Sequence, residues 1–167
     1  MDTNVPVVAN GKCDHADAEC VIACIDALAA IRAKGRIVLD DAMLILSEYM
    51  QHLNLSGQPG AGDLFLKWVW EIQADTTRCA RVSLTQCNSH PCGFAEAPDD
   101  AELITLDRSD TKFLAAAKAN GGSTEVLNAV DSDWAEHHAA LARNGIRIRF
   151  LCPQHVCPVV PDLEGSQ

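Results

Sequence analysis

Helical periodicity alternates with short apolar runs along most of this chain, and that alternation limits the fold more than any other feature. Three runs rich in Val, Ile and Leu read as strands: "RIVL" at 36–39, "EVLNAV" at 125–130 and "IRIRFL" at 146–151. Segments with apolar residues at helical spacing separate them, the first at Ala16–Ala33 with Gly35 as its stop. Strands that alternate with helices predict an α/β fold, a parallel sheet covered by helices on both faces.

The same patterns predict the other helices and the limits of the domain. Asp40 is the N-cap candidate of the second helix. That second helix is expected at 41–53, and three more are expected at 63–73, 110–120 and 132–145. Between about 75 and 101 the periodicity fades and Cys, Pro, Asn, Ser and Gly accumulate, which predicts an irregular insertion. The 167 residues suffice for one domain, expected at 1–151, followed by a Cys/Pro-rich tail at 152–167.

Net charge and cysteine content narrow the classes of function. A formal net charge of −10 argues against a general nucleic-acid-binding surface, but it leaves open an acidic centre neutralised by bound cations. The sequence has no apolar run of bilayer length and no basic-then-apolar leader, so we expect a cytoplasmic protein without a membrane partner. In that compartment the eight cysteines are expected to be reduced thiols or metal ligands rather than a disulfide framework.

Carboxylates recur where the predicted fold would gather them. Ligands of parallel sheets collect beyond the carboxyl ends of the strands, and Asp131 follows "EVLNAV" directly. The candidate set is Asp2, Glu48, Asp110, Asp131 and Asp133, with Asn4 beside the first. Crowded carboxylates repel unless cations separate them, and Mg²⁺ and Mn²⁺ prefer oxygen ligands. Taken singly, Asp110 and Asp133 also fit first-turn helix acids, and Glu48 fits a solvated helix face.

Four segments in this order, "DTNV", "LILSEYMQHL", "SDTKFLAAAKANGG" and "LNAVDSDW", resemble the motifs of PIN-domain proteins. The resemblance covers roughly residues 1–151 and implies a metal-dependent ribonuclease on a three-layer α/β/α sandwich with a central parallel sheet. It carries over Asp2, Glu48, Asp110 and Asp131 as catalytic acids that hold Mg²⁺ or Mn²⁺. Asp133 would assist as a further metal ligand. Asn4 would orient Asp2 or a ligand water.

The family resemblance leaves the biological role open. Many PIN proteins are toxins paired with an antitoxin and others process RNA, so an RNA substrate, a protein partner and a homodimer all stay compatible with it. A catalytically degenerate PIN-like binding module is the alternative, and a phospho-receiver domain ranks below both. The first strand departs from the family, because only Met1 precedes Asp2. Either part of this strand is missing from the sequence or the strand is formed unusually.

Few basic residues flank the proposed acidic cleft. Arg108 and Lys112 lie on either side of Asp110 and are the candidate phosphate contacts, with Arg78 and Arg81 as further candidates. Ordinary surface bases that pair with the surplus acids are an equally good interpretation.

Two segments share the spacing C-x₂-H-x-C and could supply zinc ligands. They contribute Cys87, His90 and Cys92 from the insertion and Cys152, His155 and Cys157 from the tail. The alternatives are free cysteines and a conditional disulfide. Cys20 and Cys24 lie one helical turn apart and are expected to pack as small apolar residues.

Overall fold

The computed structural model describes residues 1–121 and 124–156, which form a mixed α/β fold with short parallel strands. The helices are α1 (Asn4–Ala9), α2 (Ala18–Lys34), α3 (Leu44–His52), α4 (Ala61–Ile72), α5 (Thr111–Ala119), α6 (Asp133–Glu136), α7 (His138–Arg143) and α8 (Pro153–Val156). The strands are β1 (Ile37–Asp40), β2 (Cys79–Val82), β3 (Glu125–Asn128) and β4 (Arg147–Phe150). Within these ranges no helix has the length and apolar character needed to cross a bilayer.

The strands form two parallel pairs. β1 pairs with β2, with Ile37 opposite Cys79, and β3 pairs with β4, with Glu125 opposite Arg147. Within the described residues these pairs are separate two-stranded sheets, so one continuous central sheet is not observed. β1 and β3 both line a cavity of about 370 Å³, and Met1 lies in its wall. The chain start therefore lies between the two sheets.

The predicted insertion at 75–101 is wrong in one respect, because it contains β2 (Cys79–Val82). The strand is short and lies among Thr, Arg and Cys residues, so its own sequence gives little alternation. Its parallel pairing with β1 and the burial of Cys79 and Ala80 are tertiary effects. The rest of the segment is mostly turns and irregular structure, as expected.

The helix predicted at 132–145 is divided into α6 and α7 at His137. The His137 ring contacts the Asp133 carbonyl oxygen through Nδ1 at 2.8 Å and Thr105 Oγ1 through Nε2 at 2.9 Å. These contacts tie the break to the segment that precedes α5. The predicted helix at 16–33 is confirmed as α2, and its N-cap Asp17 accepts a hydrogen bond from the Cys20 N–H at 2.8 Å.

Asp40 caps α3, but the helix begins later than predicted. The Asp40 carboxylate accepts hydrogen bonds from the N–H groups of Leu44 at 2.8 Å and Ile45 at 2.9 Å. Met43, at φ 62°, has a left-handed backbone, which the helix cannot include, so α3 starts at Leu44 rather than at residue 41.

Close packing between α1 and α4 fixes the start of the chain. A Cβ at Gly62 would lie 2.0 Å from the Pro6 carbonyl oxygen, so only glycine allows this approach. The buried carboxylate of Asp63 accepts hydrogen bonds from Asn10 Nδ2 at 2.9 Å and from the Asn54 N–H at 2.8 Å. These contacts hold α1, and with it Asp2, in one position.

Candidate metal centre

Three of the predicted acids converge. Asp2 precedes α1, Asp110 is the N-cap residue of α5, and Asp131 follows β3. One carboxylate oxygen of each lies within 4.8 Å of the other two. Asp2 and Asp110 are buried and Asp131 is half-buried, so water reaches the cluster from one side. This arrangement has the shape of a cation site at the ends of the core elements.

Asp2 is held by both backbone and side chain. Its N–H donates to the Leu127 carbonyl oxygen at 3.0 Å, which places it beside β3. Asp2 Oδ1 accepts from the Asn4 N–H at 3.0 Å, and Oδ2 accepts from Trp134 Nε1 at 2.7 Å. Each carboxylate oxygen keeps a second lone pair for another partner.

Asn128 connects the acids from within β3, and the sequence reasoning did not single it out. Its Oδ1 accepts from Asn4 Nδ2 at 2.7 Å, and its Nδ2 donates to the Asp131 carbonyl oxygen at 2.6 Å. Asn4 Oδ1 in turn accepts from the Ala129 N–H at 2.9 Å. Asn4 therefore orients Asp2 through its backbone, whereas its side chain fixes the end of β3. An Asn inside the apolar run "VLNAV" was the available signal.

The pKa of Asp110 is raised further than that of Asp2. Asp110 as a residue is 5% exposed, and its side chain makes no cap hydrogen bond to α5. Burial, followed by the charges of Asp2 and Asp131, raises the pKa of Asp110 to about 8. Burial likewise raises the pKa of Asp2 to about 6, against the hydrogen bonds from Asn4 and Trp134. A bound cation would stabilise the ionised form of both.

Glu48 does not belong to the three-acid group, contrary to the prediction. One of its carboxylate oxygens pairs with the Lys112 ammonium, and the other accepts from Thr3 Oγ1 at 2.5 Å. Thr3 directly follows Asp2, so Glu48 lies beside the cluster rather than in it. Its charge is compensated by lysine. The polar position of Glu48 on its helix does not indicate that its partner is Lys112, 64 residues later in the chain.

Asp133, predicted as a further metal ligand, also lies outside the three-acid group. Its Oδ2 accepts from the Asp107 N–H at 2.9 Å, and its own N–H donates to Asp131 Oδ1 at 2.9 Å. The side chain thus fixes the turn before α5, and the backbone orients Asp131. Asp133 therefore holds Asp131 and the turn before Asp110 in place, but it is not a member of the three-acid group.

The candidate phosphate-binding bases differ in exposure and in whether other groups of the protein already engage them. The Lys112 ammonium is engaged by Glu48 and the Ser109 carbonyl oxygen. Arg78 stacks on Trp68 and donates to carbonyl oxygens at the end of α2, including that of Arg32 at 2.6 Å. Arg108 and Arg81 are exposed. Arg108 is therefore the exposed candidate that lies nearest to Asp110 in the sequence.

The two cysteine-histidine segments do not come together. Cys87 Sγ contacts Ser89 Oγ at 3.1 Å, and Cys92 is buried against the Leu103 carbonyl oxygen. Cys152 instead forms a disulfide with Cys20, and His155 Nε2 lies 3.0 Å from Asp17 Oδ2. The joint zinc site of Cys87, His90, Cys92, Cys152 and His155 is therefore not formed, and Cys157 lies outside the described residues.

Cys20 and Cys152 form a disulfide, although reduced thiols or metal ligands were expected for the cysteines and a conditional disulfide was only an alternative. The chain positions these two residues against each other through the packing of the C-terminal turn on α2, which is a relationship that sequence spacing cannot show. Cys24 is buried, as expected, and its sulfur lies within 4.8 Å of both.

Comparison with known proteins gives no assignment. No protein-family model matches the chain, and neither the curated proteins nor the solved structures contain a match.

Proposed function

We propose that this protein is a metal-dependent nuclease that hydrolyses RNA phosphodiester bonds at the Asp2, Asp110 and Asp131 cluster. The observation that carries the proposal is the convergence of three carboxylates within 4.8 Å of one another, two of them on the buried residues Asp2 and Asp110. A buried carboxylate in such surroundings needs a compensating charge. The resemblance to PIN-domain proteins supplies the RNA substrate class.

The donor set fits a hard divalent cation. Mg²⁺ binds oxygen ligands at about 2.1 Å in octahedral geometry, so two of its ligand atoms lie at most about 4.2 Å apart. Three ligands around one octahedral ion include at most one such opposite pair, and their other pairs lie about 3 Å apart. The three carboxylate oxygens lie within 4.8 Å of one another, so a contraction of up to about 1.8 Å brings them to those distances. Oxygen-only ligands favour Mg²⁺ or Mn²⁺ over zinc.

The residues around the cluster would have separate roles in the reaction. A bound ion would supply a polarised water and neutralise charge on the phosphate. Asp2, held by Trp134, and Asp131, held by the Asp133 N–H, are preorganised as ligands. Arg108 is exposed and lies two residues before Asp110, which suits it to pair with a phosphate of the substrate. Phosphate contacts of this kind position the chain without reading its sequence.

The finer fold expected for this activity is a three-layer α/β/α sandwich with one central sheet. The cavity lined by β1, β3 and Met1 supports it, because an extended segment at that position would join the two strand pairs. The hydrogen bond from the Asp2 N–H to the Leu127 carbonyl oxygen is of the kind that a strand paired with β3 would make. A cytoplasmic location, a toxin or RNA-processing role, and a protein or homodimer partner also stay proposals.

A catalytically degenerate PIN-like binding module is the second candidate, and one observation favours it. Glu48, the fourth acid that the family resemblance carries over, is neutralised by Lys112. Some phosphodiester hydrolases use two metal ions. A site with only three acids would hold a single ion. Such a module would bind the ion and RNA without cleaving the RNA.

Cleavage of labelled RNA separates the two candidates. The purified protein is incubated with mixed-sequence RNA or DNA in Mn²⁺ or in EDTA, alongside Asp131→Asn and the control Asp26→Asn, whose side chain is exposed on α2. We expect cleavage of RNA in Mn²⁺ by the wild type and by Asp26→Asn alone. Activity that survives in EDTA and in Asp131→Asn would overturn the proposal. Mn²⁺ binding without cleavage would favour the binding module.

A further inference from the structure

A second group of possible metal ligands, separate from the three acids, consists of three cysteines. The Sγ atoms of Cys20, Cys24 and Cys152 all lie within 4.8 Å of one another, and all three residues are buried. Cys20 and Cys24 are one turn apart on α2, and Cys152 follows β4. The grouping therefore brings residues 132 positions apart in sequence to one point.

Sulfur geometry in this group matches a zinc site. Zn–S bonds of about 2.3 Å in tetrahedral geometry place two ligand sulfurs about 3.8 Å apart. The sulfurs of Cys20 and Cys152, which are bonded to each other in this structure, would separate to that spacing after reduction, and Cys24 Sγ lies within 4.8 Å of both. Two cysteines could satisfy each other as a disulfide, but the third sulfur at the same point has no such partner in that state.

We propose that the reduced chain binds a structural Zn²⁺ ion through the thiolates of Cys20, Cys24 and Cys152. Cys13, half-buried before α2, is outside this group of three sulfurs. This set replaces the one expected from the C-x₂-H-x-C segments, and of that set it keeps only Cys152. His155 instead contacts Asp17, the N-cap of α2.

The disulfide and the zinc site are two states of the same sulfurs. A dithiol reductant would donate two electrons and two protons to the Cys20–Cys152 bond, leaving two thiols and becoming a disulfide itself. Zn²⁺ binding then releases the thiol protons to solvent, because the thiolate is the ligand. Burial raises the pKa of the Cys24 thiol to about 12, so without a metal this group stays protonated.

Such a zinc ion would fasten the end of β4 and α8 to the first turn of α2. The site lies apart from the three-acid cluster and uses sulfur ligands, so its failure would leave the proposed nuclease untouched. A structural role predicts a change in stability on metal removal. It predicts no requirement for zinc in phosphodiester cleavage.

The test is the metal content and cobalt spectrum of the reduced full chain. Protein is expressed in a reducing cytoplasm, purified with a phosphine reductant, and measured by plasma mass spectrometry and after Co²⁺ substitution. We expect one zinc per chain, thiolate-to-Co²⁺ charge-transfer bands, and a fall in Tm of about 5 °C on chelation. Cys24→Ser and Cys24→Ala should each lose at least nine-tenths of the zinc.

Matched variants exclude other sources of metal and of misfolding. Cys87→Ala removes a half-buried free thiol, and Asp110→Asn removes a carboxylate of the acidic cluster; both should keep the zinc and the charge-transfer bands. Circular dichroism confirms that the Cys24 variants are folded, and Cys152→Ser provides a second removal. A folded, reduced wild type without zinc and without thiolate-to-Co²⁺ bands overturns the proposal.

Discussion

The indole Nε1 of Trp134 donates a hydrogen bond of 2.7 Å to Asp2 Oδ2, across 132 positions of sequence. Trp134 is fully buried, so this bond is made away from water, where a donor without a partner is costly. The tryptophan thereby orients one candidate ligand and favours its ionised form. Its place directly after the acids of "LNAVDSDW" has a structural reason.

Replacing Trp134 by Phe should weaken both the fold and the site. The ring volume is largely kept, but the Asp2 carboxylate loses a donor. We expect a loss of about 1–3 kcal/mol in the free energy of unfolding and weaker Mn²⁺ binding at neutral pH. Urea denaturation and calorimetric titration measure the two effects. Trp70→Phe, at a tryptophan 42% exposed, is the control, and equal behaviour of the two variants would contradict the role of the bond.

Glu48→Gln should change Mn²⁺ affinity by less than about threefold, which corresponds to roughly 0.6 kcal/mol. The physical reason is that Glu48 pairs with Lys112 and Thr3 rather than with the three-acid group. Asp110→Asn serves as the comparison and should abolish binding. A loss in Glu48→Gln as large as that in Asp110→Asn would make Glu48 a ligand and would restore the original four-acid assignment.

Sequence reasoning succeeded where a residue's position along the chain fixes its position in space. Asp131 follows a strand and Asp110 precedes a helix, and both occupy the end of the core that such positions predict. It failed where a partner decides the role. The ion pair of Glu48 with Lys112 depends on packing between α3 and α5, which no local pattern encodes.

The missed strand has a similar cause. β2 is four residues long, and its assignment depends on parallel pairing with β1, a contact that is not local. Cys152 was a possible zinc ligand together with the cysteines of the insertion, but it follows β4 and is bonded to Cys20 of α2 instead. Short strands and distant cysteines take their roles from the assembled fold, and a single sequence supplies little information about either.

Asp110→Asn should stabilise the metal-free protein while abolishing metal binding. The folded pKa of Asp110 is raised to about 8, so between about pH 4 and 8 the folded state holds a proton that the unfolded state has released. Stability of the wild type therefore falls as pH rises through that window. Asp2, Asp131, Asp107 and Lys112 are the charged groups that act on Asp110.

In EDTA at pH 8, the Asp110→Asn variant should exceed the wild type by about 2 kcal/mol in the free energy of unfolding. The difference should shrink as the pH falls and should vanish near pH 3, below the unfolded-state pKa of about 3.9, where Asp110 is protonated in both states. Asp26→Asn is the control, since its side chain is exposed, and it should match the wild type at every pH. A destabilised Asp110→Asn at pH 8 would show that this carboxylate is not under repulsion.

An extended apolar segment added before Met1 should stabilise the fold by joining the two strand pairs. Met1 lines the cavity of about 370 Å³ between β1 and β3, and burial lowers the pKa of its α-amino group to about 6. A peptide bond at that point would replace the buried amine, and strand residues would fill the cavity. Four added valines should raise Tm by several degrees, and a Gly-Ser extension of equal length should not. Equal Tm values for the two extensions would contradict the expected pairing.

Calorimetric titration of Mn²⁺ into the metal-free protein tests the account most directly, because everything proposed about catalysis depends on the three acids holding one ion. The account predicts one binding site in the wild type and in Asp26→Asn, and no binding at that site in folded Asp131→Asn. Unchanged Mn²⁺ stoichiometry and affinity in folded Asp131→Asn would contradict it.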